Sequence, residues 1–303
     1  MNRPKFIMMC GLVCSGKSYK AQELSAEYDA IIFSSDTLRE ELYNDINNQE
    51  HNQELFVELH RRIKECLRSG KSAIMDATNL NYKKRMAFLN ELKNIPCEKI
   101  CVLMATPYET CLQRNSERER KVPEHAIKRM YMSINIPYWY EGWDDIQIVY
   151  SDGAQDSYGA VGDWVMSVMD YDQNNSHHQS TLGEHCLKTF DYLDSCSVPF
   201  WEIKTAAWLH DCGKPRCATY INSKGERTEE CHYYNHQFAG SYDSLFYRDI
   251  DDHLYVAQLI QWHMHPYLAW TQSEKAKARD RKLLGERLFN DILLLNAADR
   301  ASH

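Results

Sequence analysis

Two stretches of the chain carry residue types that can do chemistry. Residues 11–18, Gly11-Leu-Val-Cys-Ser-Gly16-Lys17-Ser18, fill every fixed position of G-x-x-x-x-G-K-[ST]. Glycines at these places let the backbone curl so that its N–H groups face phosphate oxygens, and the following helix adds the positive end of its dipole. In such a loop Gly11, Ser15, Gly16, Lys17 and Ser18 hold a nucleoside triphosphate. Lys17 reaches the β/γ-phosphates and the Ser18 hydroxyl ligates Mg²⁺. The second stretch, AAWLHDCGKP at 206–215, sets His210 beside Asp211 where a helix runs out at Gly213. Neighbouring residues lie about 100° apart around a helix and cannot share one core stripe. At the negative end of a helix dipole they can instead converge on a cation.

Each stretch has companions. In FSSDTLREE, Asp36 follows an apolar run and Arg39 stands three residues later on the same helical face. That carboxylate can accept a hydroxyl proton and the arginine can hold a phosphate. The alternative makes Asp36 an N-cap with Arg39 as its surface partner. MDATNLNYKKR places Asp76 at the end of another apolar run, ahead of Lys83, Lys84 and Arg85. CLQRNSERERKVP supplies Arg114, Arg118, Arg120 and Lys121 around a helix end. It reads as a lid of cations over transferring phosphoryl groups, or as a solvated charged helix. The His210–Asp211 pair finds His185, His236, His263 and Asp299, each in its own helical segment. The intervals of 25, 25, 27 and 36 residues suit one ligand per helix. His265 could replace His263, and His177 and His178 precede the first ligand helix. His232 and His253 read as surface or capping residues.

The elements that must position these groups follow two rhythms. KFIMMC (5–10), AIIFSS (30–35), SAIMDA (72–77), KICVLM (99–104) and IQIVYS (146–151) read as buried strands. Helical patterns lie between them, which predicts a parallel sheet flanked by helices. Beyond residue 151 the strand pattern fades into helical segments. The expected organisation is an α/β domain over 1–152, a connecting segment over 153–174 and an all-α domain over 175–303. The basic run KAKARDRK (275–282) could track a nucleic-acid backbone or form a solvated helix face.

Composition narrows the classes. The 303 residues carry a formal charge of −8 and 44% hydrophobic residues, and no run of eighteen apolar residues appears. With no signal-peptide pattern at the N-terminus, the expectation is a cytoplasmic protein with no membrane partner. The eleven cysteines lack paired C-x-x-C knuckles and read as reduced, buried thiols.

The set Gly11–Ser18, SDTLR, DATNLN and RNSERERKVP resembles the phage-type 5′-OH polynucleotide kinases over about residues 5–135. That resemblance implies a P-loop kinase fold with ATP (or another NTP) and Mg²⁺. It implies Asp36 as general base for the 5′-hydroxyl, and Arg39 on the acceptor's nucleotide phosphate. It further implies Asp76 as an active-site carboxylate, Arg118 on the donor phosphates, and Arg114 and Arg120 beside it. Ser35 departs from the Arg that often precedes the base in phage members. The order His, His-Asp, His, His, Asp resembles the HD phosphohydrolase superfamily over about 175–303. It is most similar to modules appended to tRNA nucleotidyltransferases and to some bacterial polynucleotide kinases, which act on 2′,3′-cyclic phosphates and on 2′- or 3′-phosphates. That implies six ligands, His185, His210, Asp211, His236, His263 and Asp299, holding two cations with Asp211 able to bridge. Imidazole with carboxylate favours Mn, Fe, Co, Ni or Zn over Mg. The joint expectation is an enzyme that heals nucleic-acid ends, RNA favoured and DNA possible, for a downstream RNA ligase. A small-molecule nucleoside kinase fused to a nucleotide-degrading HD hydrolase, and an ATP-gated regulator with a binding-only HD module, remain as alternatives.

Overall fold

The computed structural model describes residues 3–48, 50–176 and 179–302. Its contacts cluster into two units, one of residues 1–127 with 137–151 and the other of 128–136 with 152–303.

The first unit alternates strands and helices: β1 (Lys5–Cys10), α1 (Lys17–Tyr28), β2 (Ala30–Ser34), α2 (Ser35–Tyr43), α3 (Asn52–Arg68), β3 (Ser72–Asp76), α4 (Tyr82–Glu91), β4 (Glu98–Ala105), α5 (Tyr108–Glu117) and β5 (Asp145–Tyr150). A further helix, α6 (Glu124–Tyr131), begins in this unit. The strands are continuous apolar runs because both faces of a parallel sheet are covered. They pair in the order β2-β3-β1-β4-β5, all parallel. Ile7, Met9, Ile74, Val102 and Met104 fill the core with Leu24 of α1. Register decides what stands at the sheet's C-terminal edge. Ser34 pairs with Asp76, and Cys10 with Leu103. The residues after β1, β2 and β3 therefore share the edge where ligands of open α/β sheets bind. This parallel five-stranded sheet with flanking helices is consistent with a P-loop kinase fold.

The second unit contains α7 (Val161–Ser167), α8 (Leu182–Ser195), α9 (Trp201–Leu209), α10 (Lys214–Cys217), β6 (Thr219–Ile221), β7 (Arg227–His232), α11 (His236–Asp243), α12 (His253–Trp262), α13 (Ala269–Gln272), α14 (Glu274–Leu284) and α15 (Glu286–Ala301). Helices α8, α9, α12 and α15 pack on one another, with α11 against α12. Thr181 and Glu184 form a capping box that starts α8, and Asp252 caps α12 through the Tyr255 N–H.

Three features differ from the sequence expectation. The second unit is not all-α, because β6 and β7 form an antiparallel hairpin. TYI and RTEECH lack a helical apolar stripe, and Asn222–Glu226 closes a turn in which the Asn222 carboxamide accepts from Lys224 and Glu226 N–H groups. Residues 153–174, expected as a connection, belong to this unit, and their helix α7 packs on α8 and α9. Residues 128–136, expected in the first domain, also group with the second unit. There the Tyr131 hydroxyl donates to Asp243, and Gln258 and Gln261 bond both sides of the Ile136 backbone.

Candidate functional sites

In the first unit the loop after β1 closes as its glycines require. Gly16 is left-handed (φ 92°, ψ 9°), a region a side chain disfavours, and it caps α1. The Gly11 N–H donates to the Thr78 carbonyl (3.1 Å), tying this loop to the segment after β3. Lys17 is buried, and its Nζ donates to the Leu12 carbonyl at 2.6 Å. Burial lowers its pKa, and nearby Asp76 opposes that shift. Ser15 is buried and Ser18 exposed at the start of α1.

Asp36 is not the N-cap of α2. Ser34 fills that role by accepting from the Thr37 N–H, which leaves the Asp36 carboxylate for other partners. Arg39, 5% exposed, donates from Nη1 to Asp36 Oδ1 (2.9 Å) and from Nη2 to Asn52 (3.0 Å). Arg120 donates to Asp36 Oδ2 (2.8 Å). The three arginines expected on the donor therefore divide. Arg114 and Arg118 reach Cys14 in the loop, through its carbonyl (3.4 Å) and its Sγ (3.2 Å), whereas Arg120 sits on Asp36. Asp76 is buried at the end of β3. The basic triplet divides too: Asn81 caps α4 by accepting from the Lys83 and Lys84 N–H groups, and Arg85 is buried in a two-point pair with Glu141.

In the second unit the six expected ligands meet as two triads, His185–His210–Asp299 and Asp211–His236–His263, all buried. The His185 and His210 Nε2 atoms are 3.1 Å apart, and those of His236 and His263 3.2 Å. Asp299 Oδ1 lies 3.1 Å from His185 and 3.7 Å from His210. Asp211 faces both groups. Its Oδ1 is 3.1 Å from His236, and its Oδ2 is 3.3 Å from His210 and 3.5 Å from His185.

The outer nitrogens explain this geometry. His210, His236 and His263 each turn Nδ1 to the carbonyl three residues earlier, of Ala207 (2.8 Å), Tyr233 (2.7 Å) and Ile260 (2.6 Å). His185 Nδ1 meets the Ser302 hydroxyl at 2.9 Å. A carbonyl can only accept, so each of these Nδ1 atoms carries the proton, and in the neutral rings the three Nε2 lone pairs point inward. Aprotic nitrogens this close repel unless a cation lies between them. For metal–nitrogen bonds of about 2.1 Å, ligand separations of about 3.0–3.4 Å are expected, so the donor set fits a divalent ion at each triad. Without one, protons serve. Burial opposes charge on His210, but Asp211 and Asp299 outweigh it and push its pKa up to about 10. Burial, reinforced by His236 and His210, takes His263 down to about 3. Burial of Asp211 is outweighed by Lys214 and His210, which hold it well below the carboxylate range.

Sequence reasoning missed Lys214, although it lies in the quoted stretch. Buried, it donates to Asp211 Oδ2 and Gln173 Oε1, both at 2.7 Å. Ser302 was missed too, and no spacing rule points to it. His263 stands in a triad, whereas His265 packs against Trp262 (4.2 Å between ring centroids). His177 and His178 lie outside the described residues. In the 275–282 run, Arg281 pairs with Glu286, and Arg279 with buried Asp280. Among the described residues all eleven cysteines are free, nine of them buried, and no helix is long and apolar enough to cross a membrane.

Residues 6–137 match the family model described as AAA domain. Over 143 residues the chain is 29% identical to the L-seryl-tRNA(Sec) kinase of Methanococcus maripaludis, covering 46% of this chain and 55% of that protein. The chain thus spans about half the length of this curated relative. Among solved structures it is similar to the APS kinase CysC of Mycobacterium tuberculosis in complex with AMPPNP and APS (17% identity, TM-score 0.39, 50% of this chain and 91% of that one). It is also similar to a chain of the Pnkp1/Rnl/Hen1 RNA repair complex (17% identity, TM-score 0.36, 43% of each chain).

Proposed function

We propose that this protein heals nucleic-acid ends, RNA above all, with two active sites. The first unit transfers the γ-phosphate of ATP to a 5′-hydroxyl. The second removes a 2′,3′-cyclic phosphate or a 2′- or 3′-phosphate. The observation that carries the reading is the pair of triads that share Asp211, since a phosphohydrolytic centre in the same chain as a phosphate loop would treat both ends of one break.

In the kinase site Lys17, Arg114 and Arg118 neutralise donor phosphates, and Ser18 holds Mg²⁺. Asp36 takes the proton from the attacking hydroxyl while Arg39 anchors the acceptor's phosphate. Arg120 must leave Asp36 Oδ2 for a hydroxyl to approach it. In the second site His185, His210 and Asp299 would hold one divalent metal and His236 and His263 the other, with Asp211 between them. Bound metals would supply hydroxide near neutral pH and Lewis acidity at phosphorus. Lys214 fixes the Asp211 carboxylate and adds positive charge for a phosphate.

The name of the Methanococcus maripaludis relative favours a second acceptor, a hydroxyl on a tRNA-borne seryl group. One experiment separates these readings. A 5′-OH, 2′,3′-cyclic-phosphate RNA and a seryl-tRNA are each incubated with γ-labelled ATP, Mg²⁺ and either Mn²⁺ or Ni²⁺. The expected result is label on the RNA 5′ end together with loss of its cyclic phosphate. Label on the seryl-tRNA alone would replace the acceptor. An untouched cyclic phosphate with every metal would overturn the hydrolytic half.

A further inference from the structure

The second unit holds a cavity of about 410 Å³ that neither site uses. Its lining includes Tyr158, Trp164, Tyr247, Cys212, Arg216 and Asp243. The rings meet edge-on. Tyr158 and Tyr247 have centroids 5.4 Å apart at 72°, and Trp164 and Tyr247 6.5 Å apart at 72°. The Arg216 guanidinium lies over the Tyr158 ring at 5.5 Å.

Asp243 is the informative residue. It is 2% exposed, and its Oδ2 is fully engaged, accepting from the Tyr131 hydroxyl (2.7 Å) and pairing with Arg216 Nε (3.0 Å). Its Oδ1 is buried and has no hydrogen-bond partner. Buried acceptors are nearly always satisfied, so this oxygen calls for a donor the chain does not supply. Burial, only partly offset by Arg216, raises the Asp243 pKa to about 6, in keeping with an under-compensated carboxyl.

The chemistry narrows the ligand. Aromatic walls want a flat π face. A lone acceptor oxygen wants an N–H or O–H. Arg216 in the same lining disfavours a cationic amine. We propose that this cavity binds a nucleobase, stacked on Trp164 or Tyr158 and donating an amino or ring N–H to Asp243 Oδ1. The volume falls in the range of small-ligand sites and admits a base with its ribose. Position ties it to the metal-ligand cluster. Cys212 follows Asp211 in the chain, and α11 carries His236 at its first residue and Asp243 at its last, about 10 Å along the axis. The base would thus belong to a nucleotide near the phosphate being removed. That last assignment rests on the hydrolytic reading, whereas base binding itself does not.

The test is calorimetric titration of the purified protein with adenosine, guanosine, cytidine and uridine, the phosphate loop being filled with ADP. A nucleoside also offers the 5′-hydroxyl that the kinase site would accept, so capture is assigned to this cavity only where substitutions in its lining weaken it. At least one should bind to wild type, and Trp164→Leu and Asp243→Asn should each weaken it about tenfold or more. No binding by wild type at millimolar nucleoside would overturn the proposal. So would unchanged affinity in Trp164→Leu, whose half-exposed position keeps this variant decisive if Asp243→Asn does not fold. Binding without cyclic-phosphate hydrolysis would sink the hydrolytic reading and leave the pocket standing.

Discussion

Gly213→Ala is the smallest substitution that tests how the His–Asp turn is built. Gly213 has φ −77° and ψ −13°, so an alanine would not strain the backbone. The obstacle is space. A Cβ there would meet the His236 carbonyl oxygen at 2.2 Å and the Gly240 N at 2.6 Å. Ordinary contact begins near 3.4 Å, so the turn and α11 must part by about 1 Å, and both obstacles are backbone that cannot swing aside. Overpacking of this kind costs about 1–3 kcal/mol, or about 2–12 °C in Tm for a unit of this size. The functional loss should exceed the stability loss. His236 Nε2 sits 3.1 Å from Asp211 Oδ1 in one triad, and metal sites tolerate only about 0.2 Å of error per ligand. His185 and Asp299 are on other helices, so their triad should suffer less. Elemental analysis of protein loaded with Mn²⁺ or Ni²⁺ should show about two ions per chain in wild type and one or fewer in the variant. A Gly213→Ala protein with wild-type Tm and both ions would refute the close-approach argument.

Other expectations follow from the same distances. Asp36→Ala should lower 5′-kinase turnover by about 10²- to 10⁴-fold, the usual worth of a general base, with ATP binding retained; near-normal turnover would remove Asp36 from that role. Arg39→Ala should raise KM for the oligonucleotide more than for ATP, with the opposite bias for Arg118→Ala, as steady-state kinetics can read. Ser302→Ala frees His185 Nδ1 and should weaken metal affinity about 10- to 100-fold in competition with a chelator, leaving the kinase untouched. In chelated protein, the charge on His210 stabilises the fold fully below its unfolded pKa of about 6.5. That contribution disappears as pH rises through about 10, so Tm should fall across this window and metal should flatten the slope.

What could be read from the residues, and what could not, divides by the kind of partner each group has. The strands were legible because burial on both faces writes continuous apolar runs: β1 spans the same residues as KFIMMC, and β4 only adds a residue at each end of KICVLM. The meeting of His185, His210, Asp211, His236, His263 and Asp299 was legible from their spacing, one helical segment each, and from the resemblance that groups them. Their orientation was not. Nδ1 of His210, His236 and His263 goes to the carbonyl at i−3, and a carbonyl carries no side-chain identity. The grouping of 128–136 was hidden for a related reason. It depends on Gln258 and Gln261 bonding the Ile136 backbone more than a hundred residues away, and glutamines at such positions read as ordinary surface residues. The resemblance implies Arg120 beside Arg118 on the donor, and its bond to Asp36 leaves no signal along the chain. Asp36 is 84 residues distant and yet 2.8 Å away.

The two candidate sites draw their residues from different units. Loop, Asp36, Asp76 and the arginines all fall within 1–127, and both triads with Lys214 and Ser302 fall within 152–303. Among the described residues no side chain named in one site belongs to the other. Such an arrangement predicts a double dissociation. Lys17→Ala should abolish phosphate transfer and spare end-phosphate removal, and Asp211→Ala should do the reverse. Asp211 is the sharper probe, because among the described residues it is the carboxylate that faces both triads and Lys214 at once. Its loss leaves the buried Lys214 ammonium and four converging imidazoles without their shared anion, so metal content should fall to near zero rather than by half. An Asp211→Ala protein that keeps one tightly held ion would mean that the triads are separate sites, not one centre joined by a bridging carboxylate.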